Sequence, residues 1–311
     1  MNIIVQKFGG TSVSTEDRRK QVAIKVKEAI ENGFTPIVVV SAMGRKGQPY
    51  ATDTLLTLID DKFKETNRNS KDLLMCCGEI ISSVVVANAL YNEGIEAVPL
   101  TGGQAGIITD DNFCEAEYIS IDIDRLLSVV REGKVPVVTG FQGITKDGYF
   151  TTLGRGGSDT TACILGNAVK AKEIEIYTDV DGIMTADPRI VEDASLIDEI
   201  TYNEVFQLAD QGAKVIHPKA VDLAKKGNIP LFIKNTLSES KGTLISNDIM
   251  CNERRYITGI TYLNNRIQVR IRLSENSNIK AYQSLLSILA KNHISLDPVS
   301  YTHLTLPTTE R

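Results

Sequence analysis

Strand-like and helix-like stretches alternate along most of this chain, and that order leaves few architectures open. An apolar run at residues 3–7 reads as a buried strand, and Ser14 with Asp17 resembles a capping box for a helix reaching about Asn32, where Gly33 ends it. Residues 36–40 read as the next strand, 52–64 and 72–91 as helices, and 97–100 as a strand. A helix at 122–131 and a strand at 135–139 follow, then a hairpin turn at Lys146-Asp147-Gly148. A helix over 158–171 leads to a strand at 173–178, helices near 203–209 and 218–225, a strand at 231–234 and a short strand at 242–245. Such alternation predicts an α/β domain built on a largely parallel sheet.

The pattern changes after about residue 249. Residues 257–273 suit strands, 279–292 a helix and 294–297 the start of another strand, while the tail from about 301 does not continue the series. A length of 311 residues fits roughly two domains. The net charge of −5, with no Lys/Arg run, excludes a phosphate-backbone binder, so no nucleic-acid partner is expected. Residues 1–20 lack a signal-peptide core and no apolar run approaches ~20 residues, so a cytoplasmic chain without a membrane partner is expected. Cys76, Cys77, Cys114, Cys163 and Cys251 show no Cys-x-x-Cys spacing, which favours free thiols in a reducing compartment. His217, His293 and His303 are too scattered for a zinc site.

Two glycine-rich turns carry the chemistry. Residues 154–160 read Gly-Arg-Gly-Gly-Ser-Asp-Thr and run into an apolar helix, where turned-in N–H groups can hold an anion. Ser158 and Asp159 fall where the helix would start. Arg155 can grip a carboxylate with two prongs, and Asp159 can organise lysines or a metal ion. The loop suits an acidic substrate beside a phosphate donor. The first strand ends in Lys7-Phe8-Gly9-Gly10-Thr11-Ser12, which delivers a lysine to a glycine turn and can cradle phosphate oxygens. Neither a P-loop nor the protein-kinase motifs occur.

Four further stretches join these: Ser41-Ala-Met-Gly44, Gly78-Glu79 inside a helix, Tyr177-Thr-Asp-Val-Asp-Gly-Ile-Met-Thr-Ala-Asp-Pro-Arg189, and Gly212-Ala-Lys-Val-Ile-His-Pro-Lys219. In their joint order and spacing they resemble the amino acid kinase family over about residues 1–244, and within it the kinases acting on L-aspartate. The resemblance implies an α/β amino-acid-kinase sandwich as catalytic domain over residues 1–248. It also implies a partial α+β segment over 249–311 similar to the start of an ACT regulatory module. The expected reaction phosphorylates the side-chain carboxylate of L-aspartate with ATP, Mg2+ bridging the phosphates, as the first step towards lysine, threonine and methionine. No protein ligands for a metal are assigned.

Residue roles carry over position by position. The resemblance makes Lys7 and Lys214 the lysines that meet the transferred phosphate, with Asp159 holding both. It sets Lys7, Phe8, Gly9, Gly10, Ser12, Thr178, Asp179, Met184, Arg189, Lys214 and Val215 at the nucleotide. The substrate falls to Ser41, Thr52, Glu79, Arg155, Gly156, Gly157 and Ser158, with Glu79 on the α-ammonium and Arg155 on the α-carboxylate. Plainer readings stand beside these. Lys7 can be a surface lysine closing an edge strand, and Thr52 an N-cap. The Asp-x-Asp-Gly after residue 178 lacks the spacing of a calcium loop. Glu79 sits among Ile80, Ile81 and Val84 to Val86, so it belongs to a mostly buried helix and needs a partner. His217 reads as structural, because an ionised carboxylate needs no base. A kinase for glutamate or acetylglutamate and a catalytically silent metabolite sensor are the rival functions. Paired complete regulatory modules would imply a homo-oligomer; with only part of one, little inhibition by lysine or threonine is expected.

Overall fold

A computed structural model describes residues 1–210, 212, 215–247, 257–262 and 279–292. Lys214, Cys251, His293, His303, the expected strand at 294–297 and the tail from 301 lie outside the described residues. The chain divides into two units, Met1–Leu263 and Asn264–Arg311. The first therefore extends past the expected boundary at 248. Thr258 donates to Glu204, and the N–H of Ile260 bonds the carbonyl of Thr185 at 2.8 Å, tying residues 257–262 to it.

The first unit opens with β1 (Ile3–Phe8), α1 (Glu16–Glu31), β2 (Thr35–Val40), α2 (Thr52–Leu55), α3 (Asp61–Thr66) and α4 (Arg68–Asn92). Next come β3 (Ala97–Leu100), β4 (Ile107–Thr109), β5 (Tyr118–Ile121), α5 (Asp124–Arg131), β6 (Val135–Thr139), β7 (Gln142–Ile144) and β8 (Phe150–Thr152). It continues with α6 (Gly157–Val169), β9 (Glu173–Thr178), β10 (Glu199–Thr201), α7 (Tyr202–Asp210), α8 (Pro218–Gly227), β11 (Leu231–Asn235) and β12 (Thr243–Ser246). In the second unit, the described residues form α9 (Ile279–Lys291), the helix expected there.

Eight strands make the main sheet in the order β10-β12-β11-β9-β1-β2-β6-β3, parallel throughout except for the β11–β12 pair. Its central strands are buried on both faces, which is why they read as continuous apolar runs rather than alternating ones. Ile37 and Val39 enter one core with residues of α5, α6, α7 and α8. Val38 and Val40 enter the other, where Val22 and Val26 of α1 meet Val86 and Leu90 of α4. This gives the expected sandwich.

Several expectations shift. Thr15, not Ser14, caps α1, accepting from the N–H of Arg18 at 3.4 Å. The helix expected over 52–64 breaks because Ile59 turns to an extended conformation, and none of the residues of α2 or α3 is buried to hold one continuous helix. Helix α4 is long and apolar enough, by length and composition, to cross a membrane, against the expectation that no stretch would be. Its apolar face packs instead on the sheet and α1. Strands β4, β5 and β10 were not foreseen. With three or four residues each, they are too short to show a period. β4 and β5 build a second sheet, β5-β4-β7-β8, in which β7 and β8 form the expected hairpin.

Candidate active site

Parallel strands place ligands at their C-terminal ends, and β1, β2 and β9 all end on the same edge. The glycine turns after β1 and β2 interlock there: the N–H of Gly44 bonds the carbonyl of Gly10 at 3.0 Å. A side chain at Gly10 would put its Cβ 2.5 Å from the carbonyl oxygen of Ala42, so only glycine permits the approach. Gly156 faces the same limit, with φ 68° and a would-be Cβ 2.2 Å from Cβ of His217. It is the N-cap of α6, without a side-chain cap, so Ser158 and Asp159 lie within the first turn rather than capping it. The helix start thus presents backbone N–H groups and the positive dipole end.

Lys7 leaves the end of β1 and meets Asp159 of α6 at 2.6 Å, both nearly buried at 11% and 13% exposure. This excludes the surface-lysine reading. Oδ1 of Asp159 has the ammonium against it but, among the described residues, no donor aligned on it. Glu79 comes down from α4 at 3% exposure. Its Oε1 accepts from the N–H of Ala42 at 3.1 Å, and its Oε2 has no partner among the described residues. Burial pushes its carboxyl up to about 8, although the Ala42 N–H pulls the other way.

A cavity of about 460 Å³ collects Lys7, Ser41, Thr52, Glu79, Arg155, Gly156, Gly157, Ser158 and Asp159. Every expected substrate-side residue thus lines one space. Thr52 is not the helix N-cap, a position held by Ala51. A smaller space of about 230 Å³ adjoins it, sharing Ser41, Thr52 and Glu79 and adding Gly10, Arg45 and Lys46.

The expected nucleotide residues are more dispersed. Apart from Lys7 and Gly10, none of the described ones lines either cavity. The Phe8 side chain is buried and stacks on Tyr177 at 4.7 Å, and Ser12 is buried with its Oγ 2.7 Å from Oγ1 of Thr236. Their side chains therefore hold the turn together, and only their backbone can face a ligand. The N–H of Gly9 bonds the carbonyl of Tyr177 at 3.2 Å. Thr178 ends β9, and Asp179 pairs with Arg45 at 2.6 Å in an exposed contact. Arg189 forks onto Asp187 at 2.6 and 3.0 Å and holds that carboxyl down at about 2. Met184 bridges to Leu196, and Val215 packs beside the core. Lys214 lies outside the described residues. His217 caps α8, its Nδ1 accepting from the N–H of Lys219 at 3.3 Å, and burial lowers its pKa, which fits the structural reading.

Met75, Cys114, Glu115 and Phe141 also line the larger cavity and were missed. Cys114 and Phe141 carry φ of 75° and 71°, conformations that no local sequence signal marks at non-glycine residues. Met75 had a signal, lying one helical turn before Glu79.

The fold and cavity suit a small-molecule kinase, and residues 2–235 match the model of the amino acid kinase family. Aspartokinase 1 of Bacillus subtilis is 47% identical over 279 residues, 87% of this chain and 68% of that protein. The crystal structure of an aspartate kinase from Synechocystis matches with a TM-score of 0.68 and 44% identity, over 78% of this chain and 40% of that one. E. coli aspartokinase III in complex with aspartate and ADP matches with a TM-score of 0.72 and 27% identity, over 97% of this chain and 77% of that one. The chain therefore belongs to the amino acid kinase family and, within it, to the aspartokinases.

Proposed function

We propose that this chain transfers the γ-phosphoryl group of ATP to the side-chain carboxylate of L-aspartate, giving 4-phospho-L-aspartate. The observation that carries this reading is the Oε2 of buried Glu79, which has no partner among the described residues and lies in the same cavity as Arg155. A buried carboxyl oxygen without a donor costs free energy, and an ammonium group removes that cost. Arg155 clamps the α-carboxylate and Glu79 the α-ammonium, which leaves the side-chain carboxylate directed at Lys7. That carboxylate is ionised at neutral pH and attacks without a base.

Phosphoryl transfer asks the protein mainly for position and positive charge. Lys7, oriented by Asp159, supplies charge where the transferred group passes, and the dipole of α6 adds to it. Lys214 is assigned the matching role from the nucleotide side, and Thr178, Asp179, Met184, Arg189 and Val215 the nucleotide itself. Among the described residues, no cluster of three or more His, Cys, Asp or Glu side chains can hold a metal ion. Magnesium is assigned to the ATP phosphates, whose charge it would disperse.

An assay coupled to ADP release, run with L-aspartate, L-glutamate and N-acetylglutamate, tests the reading. Turnover with aspartate and little with the acetylated acid is expected, since a blocked amine gives Glu79 no partner. Equal turnover with N-acetylglutamate would overturn the Glu79 assignment. Binding of aspartate without ADP release would make the chain a sensor.

A further inference from the structure

One carboxylate of α4 lies outside the cavity lining and yet is wholly buried. Asp72 has 0% exposure, and three hydrogen bonds it makes among the described residues reach parts of the chain that lead into the site. Its Oδ2 accepts from the N–H of Cys114 at 2.9 Å and from the N–H of Thr152 at 3.0 Å. Its Oδ1 accepts from the Thr152 hydroxyl at 2.8 Å. Two of the three donors are main-chain groups, so the tie fixes backbone rather than rotamers.

Each end of that tie matters for geometry. Asp72 precedes Glu79 by seven residues, about two helical turns, so both project from nearly the same side of one rigid helix. Thr152 ends β8, three residues before Arg155. Cys114 sits in the left-handed region at φ 75°, and Glu115 after it lines the cavity. The N–H of Ala116 then returns to the carbonyl of Thr152 at 2.8 Å, which closes the loop onto the same strand end. The carboxylate thus joins the helix bearing Glu79, the strand leading to Arg155 and the loop forming the cavity wall.

We infer that Asp72 is a positioning residue that sets the separation between Glu79 and Arg155, and so the affinity for the amino-acid substrate. The inference rests on the reading of those two residues as ammonium and carboxylate holders. Its role is geometric. An asparagine can accept both N–H bonds with Oδ1 and donate to a reversed Thr152 hydroxyl, whereas alanine leaves the buried N–H of Thr152 and the half-buried N–H of Cys114 unpaired.

The test measures kcat, the KM for aspartate, the KM for ATP and the Tm of the full chain in D72A, D72N, T152V and R155K. Removing the tie shifts two substrate-holding groups by fractions of an ångström, so D72A should raise the aspartate KM roughly 10- to 100-fold. Its ATP KM should stay within about twofold, because the tie does not reach the strands carrying the nucleotide residues. D72N should restore the aspartate KM. T152V, which removes only the Oδ1 bond, should give a smaller rise in the same constant, and it decides the matter if D72A does not fold. An unchanged aspartate KM in folded D72A, parallel losses in both KM values, or failure of D72N to restore would overturn the inference. R155K separates the two levels: if it leaves the aspartate KM unchanged, the substrate reading itself fails, whereas a rise in R155K beside an unaffected D72A sinks only the role of Asp72.

Discussion

On the proposed reading of Glu79 as the ammonium holder, aspartate binding should release a proton from its carboxyl. Before substrate binds, burial holds its carboxyl at about 8, so at pH 7 roughly nine Glu79 side chains in ten carry the proton. An ammonium group placed against Oε2 favours the ionised form and drives that proton off. About 0.9 proton per site should therefore leave at pH 7. Ionising the group first costs about 1.4 kcal/mol at that pH, one unit below its value. Aspartate Kd should therefore weaken about tenfold per pH unit below 8 and level off above it. Titration calorimetry in phosphate and Tris, buffers with different ionisation heats, counts the protons directly. Glu79→Gln should remove both the buffer dependence and the pH slope while weakening binding. Equal heats in the two buffers for the wild-type protein, or an unaltered pH slope in Glu79→Gln, would refute the reasoning.

The same carboxyl bears on folding. Its folded value lies above the ordinary 4.5, so its contribution to stability is fully present below pH 4.5 and is lost as pH rises through about 8. The Tm of Glu79→Gln should therefore gain on that of the wild-type protein between pH 5 and pH 8 without ligand, and a constant difference across that range would contradict it. Lys7→Ala should lower kcat roughly 100- to 1000-fold with little change in aspartate Kd, because the charge is needed as phosphate moves; a kcat within about tenfold of wild type would exclude the role. Gly156→Ala should cost about 2–4 kcal/mol in denaturant unfolding, combining a left-handed alanine with overpacking against His217. A loss below about 0.5 kcal/mol would show that the α6 entry is not sterically fixed.

The alternating elements, the glycine turns, Lys7, Arg155 and Glu79 were legible in the sequence by itself, and for local reasons. An apolar run long enough to be buried shows its type, and a glycine turn between strand and helix shows its chemistry within a few residues. A carboxylate inside an apolar helix declares that it needs a partner without naming one. Only the tertiary structure decided that Glu79 shares a cavity with Arg155 and keeps an oxygen without a partner among the described residues, and that Phe8 and Ser12 turn their side chains into the interior. It also decided that Asp72 binds Cys114 and Thr152, 42 and 80 residues away. The break in the expected 52–64 helix and the short strands β4, β5 and β10 likewise follow from neighbours distant in the chain. Periodicity records which face of an element is buried, whereas the partner of a buried polar group depends on how separate elements pack, and no local pattern encodes that distance.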